Sequence, residues 1–259
     1  MHNALAIARR ERRALFDAPT AYAVVALYVA LVGGFAFGID DAFEAGVASP
    51  RGVFGWAHLF LVMLAPALTM RLFAEERRAG TMELLQALPL RDGEIVAGKF
   101  LAACVLLAGA LAATFPMVLT LAWLGVPEVS GPSAPAVVRV VSDTGLDWGG
   151  VVTGYLGLFA SGAAMCAIGL AASAWSNHSV VAFLLALVLC VFPWAAGLVV
   201  GTFPASWQAT VTAWTFQAHV EPFFRGVVAL GDLAYWCGLV AVALQAACLN
   251  LAWRRWSVR

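Results

Sequence analysis

The sequence predicts an all-α integral membrane protein: six transmembrane helices, an amphipathic helix before them, and a charged helical segment between the second and third. Three observations carry that reading. Hydrophobic residues make up 63% of the 259 and charged residues 12%, with a mean hydropathy of +0.88, whereas a soluble domain carries about 25% charged residues. The apolar residues gather into six runs, each near the roughly 20 residues that a helix needs to cross a bilayer core about 30 Å thick. Between two of those runs stands the densest polar stretch of the chain, AEERRAGTMELLQALPLRDGEIVAGK, residues 74–99.

The elements follow in order. Residues 1–18 hold Arg9, Arg10, Arg12 and Arg13, with Leu5, Ala8, Leu15 and Phe16 at roughly helical spacing. A helix lying on the membrane surface, arginines toward lipid headgroups, accounts for that pattern. The next apolar run is longer than the apolar region of a signal peptide, and no small-residue cleavage site follows it. The spans fall at about 20–38, 54–73, 99–124, 150–173, 179–201 and 231–253, within one domain covering 1–259. Pro66, Pro116 and Pro193 sit inside three of them and should kink or loosen those helices.

The 74–98 segment reads as helix, break, helix. Thr81 is placed to cap a helix whose first turn holds Glu83, and Leu84, Leu85 and Leu88 share one of its faces. Pro89 ends it. Asp92 is a second candidate cap, opening a helix through Glu94 and Lys99 into the third span, where the Lys99 ammonium is expected to reach out to the headgroups. The connection 174–178 is short enough to make spans four and five a tight hairpin. Residues 39–53 are acidic, and 125–149 are rich in Pro, Gly and Ser. Residues 202–230 carry Trp207, Trp214, Phe216, Phe223 and Phe224, which suits an interfacial belt or a re-entrant segment.

Charge placement gives orientation. Twelve of the fifteen Lys and Arg fall in the N-terminal helix, residues 71–99 and the C-terminal tail; Arg51, Arg139 and Arg225 are the other three. The positive-inside tendency then puts both termini and the 74–98 segment in the cytoplasm. A formal net charge of zero and the lack of a basic stretch with interleaved aromatics exclude nucleic acid as a partner.

Several chemistries are excluded or weak. Gly93 through Lys99 spells GxxxxGK, but Phe100 stands where a phosphate-binding loop needs Ser or Thr, and no strand precedes it. The chain therefore has no ATPase motif of its own. Cys104, Cys166, Cys190, Cys237 and Cys248 all lie in apolar runs without metal-ligand spacing, as small fillers between helices. His58, His178 and His219 are far apart, with no partner at i+3 or i+4. Ser161-Gly162 faintly suggests an intramembrane serine protease, without a histidine in span five or six as base. No Asp, Glu, Lys or Arg stands in the middle third of a span, so an ion-coupled transporter lacks its usual intramembrane charge.

Glu75, Glu76, Gly80, Thr81, Glu83, Leu85, Pro89, Gly98 and Lys99 form a pattern close to EE-x-x-x-G-T-x-E-x-L-x-x-x-P followed by a GK pair. In this the chain resembles ABC-2 type transporter permeases. The run Glu221-Pro222-Phe223-Phe224-Arg225-Gly226-Val227-Val228, with Asp232 and Tyr235 after it, is similar to the group of gliding-motility-type permeases, with the nitrous-oxide-reductase-maturation type as a neighbour. The resemblance covers nearly the whole chain.

It implies a membrane subunit that moves a substrate by alternating access, driven by a separate ATP-binding cassette ATPase that holds the ATP and magnesium. Residues 3–17 would be the elbow helix. Roughly 76–90 would be the coupling helix that docks on the ATPase, with Glu75, Glu76, Arg77, Arg78, Gly80, Thr81, Glu83, Leu84, Leu85 and Leu88 as its contact. Asn177 and His178 would supply a second cytoplasmic contact, and 203–224 a pair of short outer re-entrant helices. Two permeases, identical or homologous, would pair in a bacterial cytoplasmic membrane, with a periplasmic accessory protein among the partners this architecture allows. The alternative from another class is an intramembrane enzyme or a non-transport scaffold, which would need a polar cluster buried between spans.

Overall fold

The computed structural model describes residues 2–17, 19–38, 50–82, 91–124 and 147–257, and every regular element among them is a helix. Helix α1 (His2–Asp17) precedes α2 (Pro19–Gly38), the first span. Proline opens α2 where its missing N–H breaks no helical bond. The second span is α3 (Arg51–Thr69) continued by α4 (Arg71–Arg78) across a break at Met70. Pro66 cannot donate to the Val62 carbonyl, and the Thr69 hydroxyl donates back to Ala65 O at 2.8 Å. Both features loosen the last turn of α3.

The third span is α5 (Asp92–Ala112) followed by α6 (Phe115–Leu124). The interruption at Ala113 and Thr114 lies just before Pro116, whose ring would clash with the Ala112 carbonyl in a continuous helix. The Thr114 hydroxyl satisfies the loosened turn by donating to Leu111 O at 2.7 Å. Then come α7 (Trp148–Trp175), α8 (Ser179–Val199) with a 3₁₀ turn at Val200–Thr202, two short helices α9 (Ala205–Thr212) and α10 (Phe216–Phe224), and the last span α11 (Leu230–Ser257).

Among the described residues, six helical stretches are long and apolar enough to cross a membrane: Pro19–Gly38, Arg51–Arg78, Asp92–Trp123, Trp148–Trp175, Ser179–Thr202 and Leu230–Trp253. The six-span, all-helical expectation holds. The ends of two spans differ from the sequence reading. The second runs on to Arg78 rather than 73, and the third starts at Asp92 rather than 99. Hydropathy marks where a helix leaves the apolar layer, while the hydrogen-bonded backbone continues beyond it.

The fourth span, α7, is the central post. In its most apolar stretch 72% of residues are buried, against 11% for the fifth span. Its glycines explain why. A methyl group on Gly154 would stand 2.3 Å from the Phe54 ring, and one on Gly157 would stand 2.6 Å from Phe223 Cβ. On Gly169 it would stand 2.0 Å from Thr69 Oγ1. In a membrane, where apolar surface gains little by leaving lipid, small residues that admit a neighbour this closely are what hold helices together. The second, third, fifth and last spans and α10 all pack on that post, while spans one, five and six turn most of their surface outward.

Candidate functional site

The polar chemistry of one end of the bundle converges on α4. Its eight residues, RLFAEERR, bury Leu72, Phe73 and Ala74 and leave Glu75 and Arg78 exposed. The first-turn N–H groups of a helix have no partner of their own. Here the Ser173 hydroxyl of α7 accepts from Phe73 N at 3.1 Å and Ala74 N at 3.2 Å, and donates to Met70 O at 2.9 Å. One side chain on the fourth span thus closes both ends of the α3–α4 break.

Lys99 is the centre of the site, and it does not reach out to headgroups as the sequence suggested. It is fully buried. Its Nζ donates to Leu72 O at 2.7 Å and pairs with Glu76 at 2.9 Å and Glu11 at 3.2 Å, with the Phe73 ring centroid 5.1 Å away. An ammonium has three N–H donors, and three oxygens meet them. Long side chains extend toward water when their own segment ends there. At this position α1 packs on α5 and α4 brings Leu72 O and Glu76 within reach, so two carboxylates come to the lysine instead.

Arg77 turns inward as well. Its Nη2 donates to Asn250 Oδ1 on the last span at 2.8 Å, and its Nη1 to Ser176 O at 3.5 Å in the α7–α8 connection. Glu75 pairs with Arg71 on the surface at 3.3 Å. Gly80 has φ +71°, a left-handed conformation that ends α4 at little cost because glycine lacks a Cβ. The Thr81 hydroxyl donates back to Glu76 O at 3.2 Å and closes the preceding helix, and the residues it is expected to cap lie outside the described ones. Asp92 is not a cap but the first residue of α5, and the Glu94 carboxylate accepts from Arg91 N at 3.3 Å.

Of the predicted contact residues, Glu75, Arg78, Gly80 and Thr81 are exposed, with Asn177 and His178 on the connection beside them. That connection comprises Ser176 to His178. Glu83, Leu84, Leu85, Leu88 and Pro89 lie outside the described residues. Arg9, Arg10, Arg12 and Arg13 are exposed on α1, whose Ile7 and Glu11 face the bundle. Arg10, Glu11, Thr20, Arg71 and Glu76 line a cavity of about 520 Å³ between α1, α2 and the second span.

The rival chemistries find no support here. Gly93 and Gly98 lie within the continuous helix α5, so the GxxxxGK stretch forms no phosphate cradle. The Ser161 hydroxyl donates to Leu158 O at 3.1 Å, satisfied within its own helix rather than poised on a base. Among the described residues no group of three His, Cys, Asp or Glu is placed to hold a metal ion.

Sequence reasoning missed Glu11, Ser173, Asn250 and the burial of Lys99. Glu11 left one trace, as the acid inside Arg9-Arg10-Glu11-Arg12-Arg13. Ser173 and Asn250 left none, since single polar residues in apolar helices are common.

With this geometry in place, the comparison with known families decides the matter: residues 5–226 match the profile of the ABC-2 family transporter proteins. The chain belongs to the ABC-2 transporter family. No curated protein matches it. Members of the ABC-2 family serve as membrane permeases, typically non-enzymatic transport subunits that work with an ATP-binding cassette ATPase. As an ABC-2 chain with six apolar helices, this is a multi-pass membrane protein.

Proposed function

We propose that this ABC-2 chain is a permease subunit driven by a separate ATP-binding cassette ATPase, which docks at the end of the bundle where α4 and the Ser176–His178 connection lie, with roughly 76–90 as the coupling helix. The observation that carries it is the wiring of α4. Through Lys99, Ser173 and Arg77 it is bonded to the third, fourth and last spans and to α1. A push on the polar segment that continues α4 therefore reaches four other helices through short polar contacts, which a solvated loop could not do.

The finer reading keeps α1 as the elbow helix and 74–98 as the coupling segment, and places both termini in the cytoplasm of a bacterial cell. ATP and magnesium belong to the ATPase. Two permeases pair, identical or homologous, and membership in the gliding-motility-type or nitrous-oxide-reductase-maturation-type group rests on the Glu221–Tyr235 pattern.

The test is the double variant Glu83→Lys with Leu85→Asp, purified with the candidate ATPase. Both positions lie outside the apolar layer, so insertion should survive. The new Asp brings an unpaired charge into an apolar contact, costing several kcal/mol. The Lys adds the wrong sign at a helix N-terminus, worth about 0.3–1 kcal/mol more. Loss of co-elution and of ATPase stimulation is expected. Unchanged values in both assays would remove the coupling assignment.

A further inference from the structure

The end of the bundle opposite α4 holds a second polar cluster that the docking of an ATPase does not use. His219 on α10 has its Nδ1 2.7 Å from Asp232 Oδ1, in the first turn of α11, and its Nε2 3.1 Å from Ala213 O, at the end of α9. Its ring stacks on Tyr235, centroids 3.9 Å apart and planes at 19°. Tyr235 in turn donates its hydroxyl to Trp214 O at 3.1 Å, and Trp236 Nε1 donates to His219 O at 3.3 Å. One histidine joins both short helices to the last span.

The protons of this cluster can be counted. A carbonyl oxygen only accepts, so Nε2 carries a hydrogen. A neutral imidazole with its hydrogen on Nε2 presents a lone pair at Nδ1, and an ionised carboxylate presents another. Two lone pairs do not sit 2.7 Å apart, so the contact itself contains a proton. The Tyr235 ring face, stacked on the imidazole, favours that proton's residing on the ring.

We infer that His219 and Asp232 form a proton-binding site that latches α9 and α10 to the last span. The latch holds while the proton is retained and releases when rising pH removes it, because the neutral ring must then abandon Asp232 or Ala213. Charged groups nearby do not replace the proton. The last span supplies Asp232 and Tyr235, and on α10 Glu221 and Arg225 are paired with each other. Across Trp148–Trp175 and Ser179–Val199, two of the spans packed against α10, there is no Asp, Glu, Lys, Arg or His, while the second span brings Arg51 and His58 to the cavity lined by Glu221, Phe224 and Arg225 of α10. The titratable groups of the first two are Tyr155, hydrogen-bonded to Thr114, and the buried thiols Cys166 and Cys190. The short helices it holds help wall an apolar cavity of about 850 Å³, lined by Phe192, Trp207, Trp214, Phe216 and Tyr235.

Hydrogen exchange of the full chain in detergent, corrected for intrinsic rates, tests this at about pH 5.5 and about pH 8.5, on either side of the ordinary histidine range. Amides of 213–224 should lose about 10-fold or more of their protection at the higher pH, while those of α7 hold. Asp232→Asn is the discriminating variant. Its amide N–H donates to the Nδ1 lone pair of a neutral ring, so the latch should close without a proton and protection should become independent of pH. A wild type whose 213–224 protection does not change with pH overturns the inference. So does an Asp232→Asn protein that keeps the wild-type pH step. Should that variant fail to fold, ¹⁵N-histidine spectra of the wild type decide: both ring nitrogens of His219 must be protonated at the lower pH, and a single protonated nitrogen there refutes the latch.

Discussion

Replacing Lys99 by methionine keeps most of the side-chain length and removes the charge. The ammonium is fully buried with carboxylates at 2.9 and 3.2 Å, whose side chains are 18% and 13% exposed. At an effective dielectric near 20, each pair attracts by about 5–6 kcal/mol before desolvation is charged against it. Removing one member of a buried pair costs about 3–5 kcal/mol, because the partner's charge stays behind uncompensated. Here two carboxylates stay behind, close together, so Lys99→Met should fall at the upper end of that range. Glu76→Gln and Glu11→Gln should each cost less, since one carboxylate remains on the lysine. The triple variant Lys99→Met, Glu11→Gln, Glu76→Gln should recover most of the loss, as apolar or neutral replacement of an entire buried ion cluster is often close to neutral. Denaturant unfolding in detergent, followed by tryptophan fluorescence, reads all four. If Lys99→Met unfolds at the wild-type midpoint, or if the triple variant is as unstable as the single, the cluster is not held by charge.

Two further substitutions probe the fourth span by the same unfolding assay. Gly169→Ala puts a methyl group 2.0 Å from Thr69 Oγ1 and should cost about 1–3 kcal/mol, a loss that Thr69→Ala in the same chain should largely remove. Ser173→Ala orphans the Phe73 and Ala74 N–H groups together, at about 1–3 kcal/mol, and should raise hydrogen exchange across 71–78.

The architecture was legible because it rests on length and hydropathy. Runs of about 20 apolar residues have one solution in lipid, where each backbone group must be satisfied within its own helix. What hydropathy does not encode is where a helix stops once it has left the apolar layer: the second span is drawn only to 73 although its helical path runs to Arg78, whereas the helix opening at Asp92 is legible from its polar start. The 74–99 stretch stood out for its charges, and those charges do organise this end of the bundle. Their direction was not legible. Lys99, Glu76 and Arg77 look alike in sequence to Arg78 and Glu75, yet the first three point into the bundle and the last two to solvent. The difference is made by Glu11, Leu72 O, Ser176 O and Asn250, which come from three other parts of the chain as well as from α4. No local pattern announces a partner supplied 88 or 173 positions away. His219 and Asp232 failed for the same reason: a separation of 13 fits no helical repeat, because a turn and a helix start lie between them.

The two polar clusters stand at opposite ends of an apolar bundle, and α7 is the element that meets both. Ser173 grips the start of α4, and Gly169, one helical turn before it, seats Thr69 at the end of α3. Toward the other end, Gly157 seats Phe223 of α10, the helix that carries His219, and Gly154 seats Phe54. At 1.5 Å per residue the 28-residue helix spans about 42 Å, the full depth of a bilayer with its headgroups. Its glycine seats leave no slack, because each neighbour already stands where a methyl group would go. A rotation of α4 must then either break its two bonds to Ser173 or carry α7 with it, and α7 cannot turn without displacing the Phe223 seat. The same small side chains that let the bundle pack in lipid thus leave it without a compliant layer between the helix that would receive a push and the helix that carries His219.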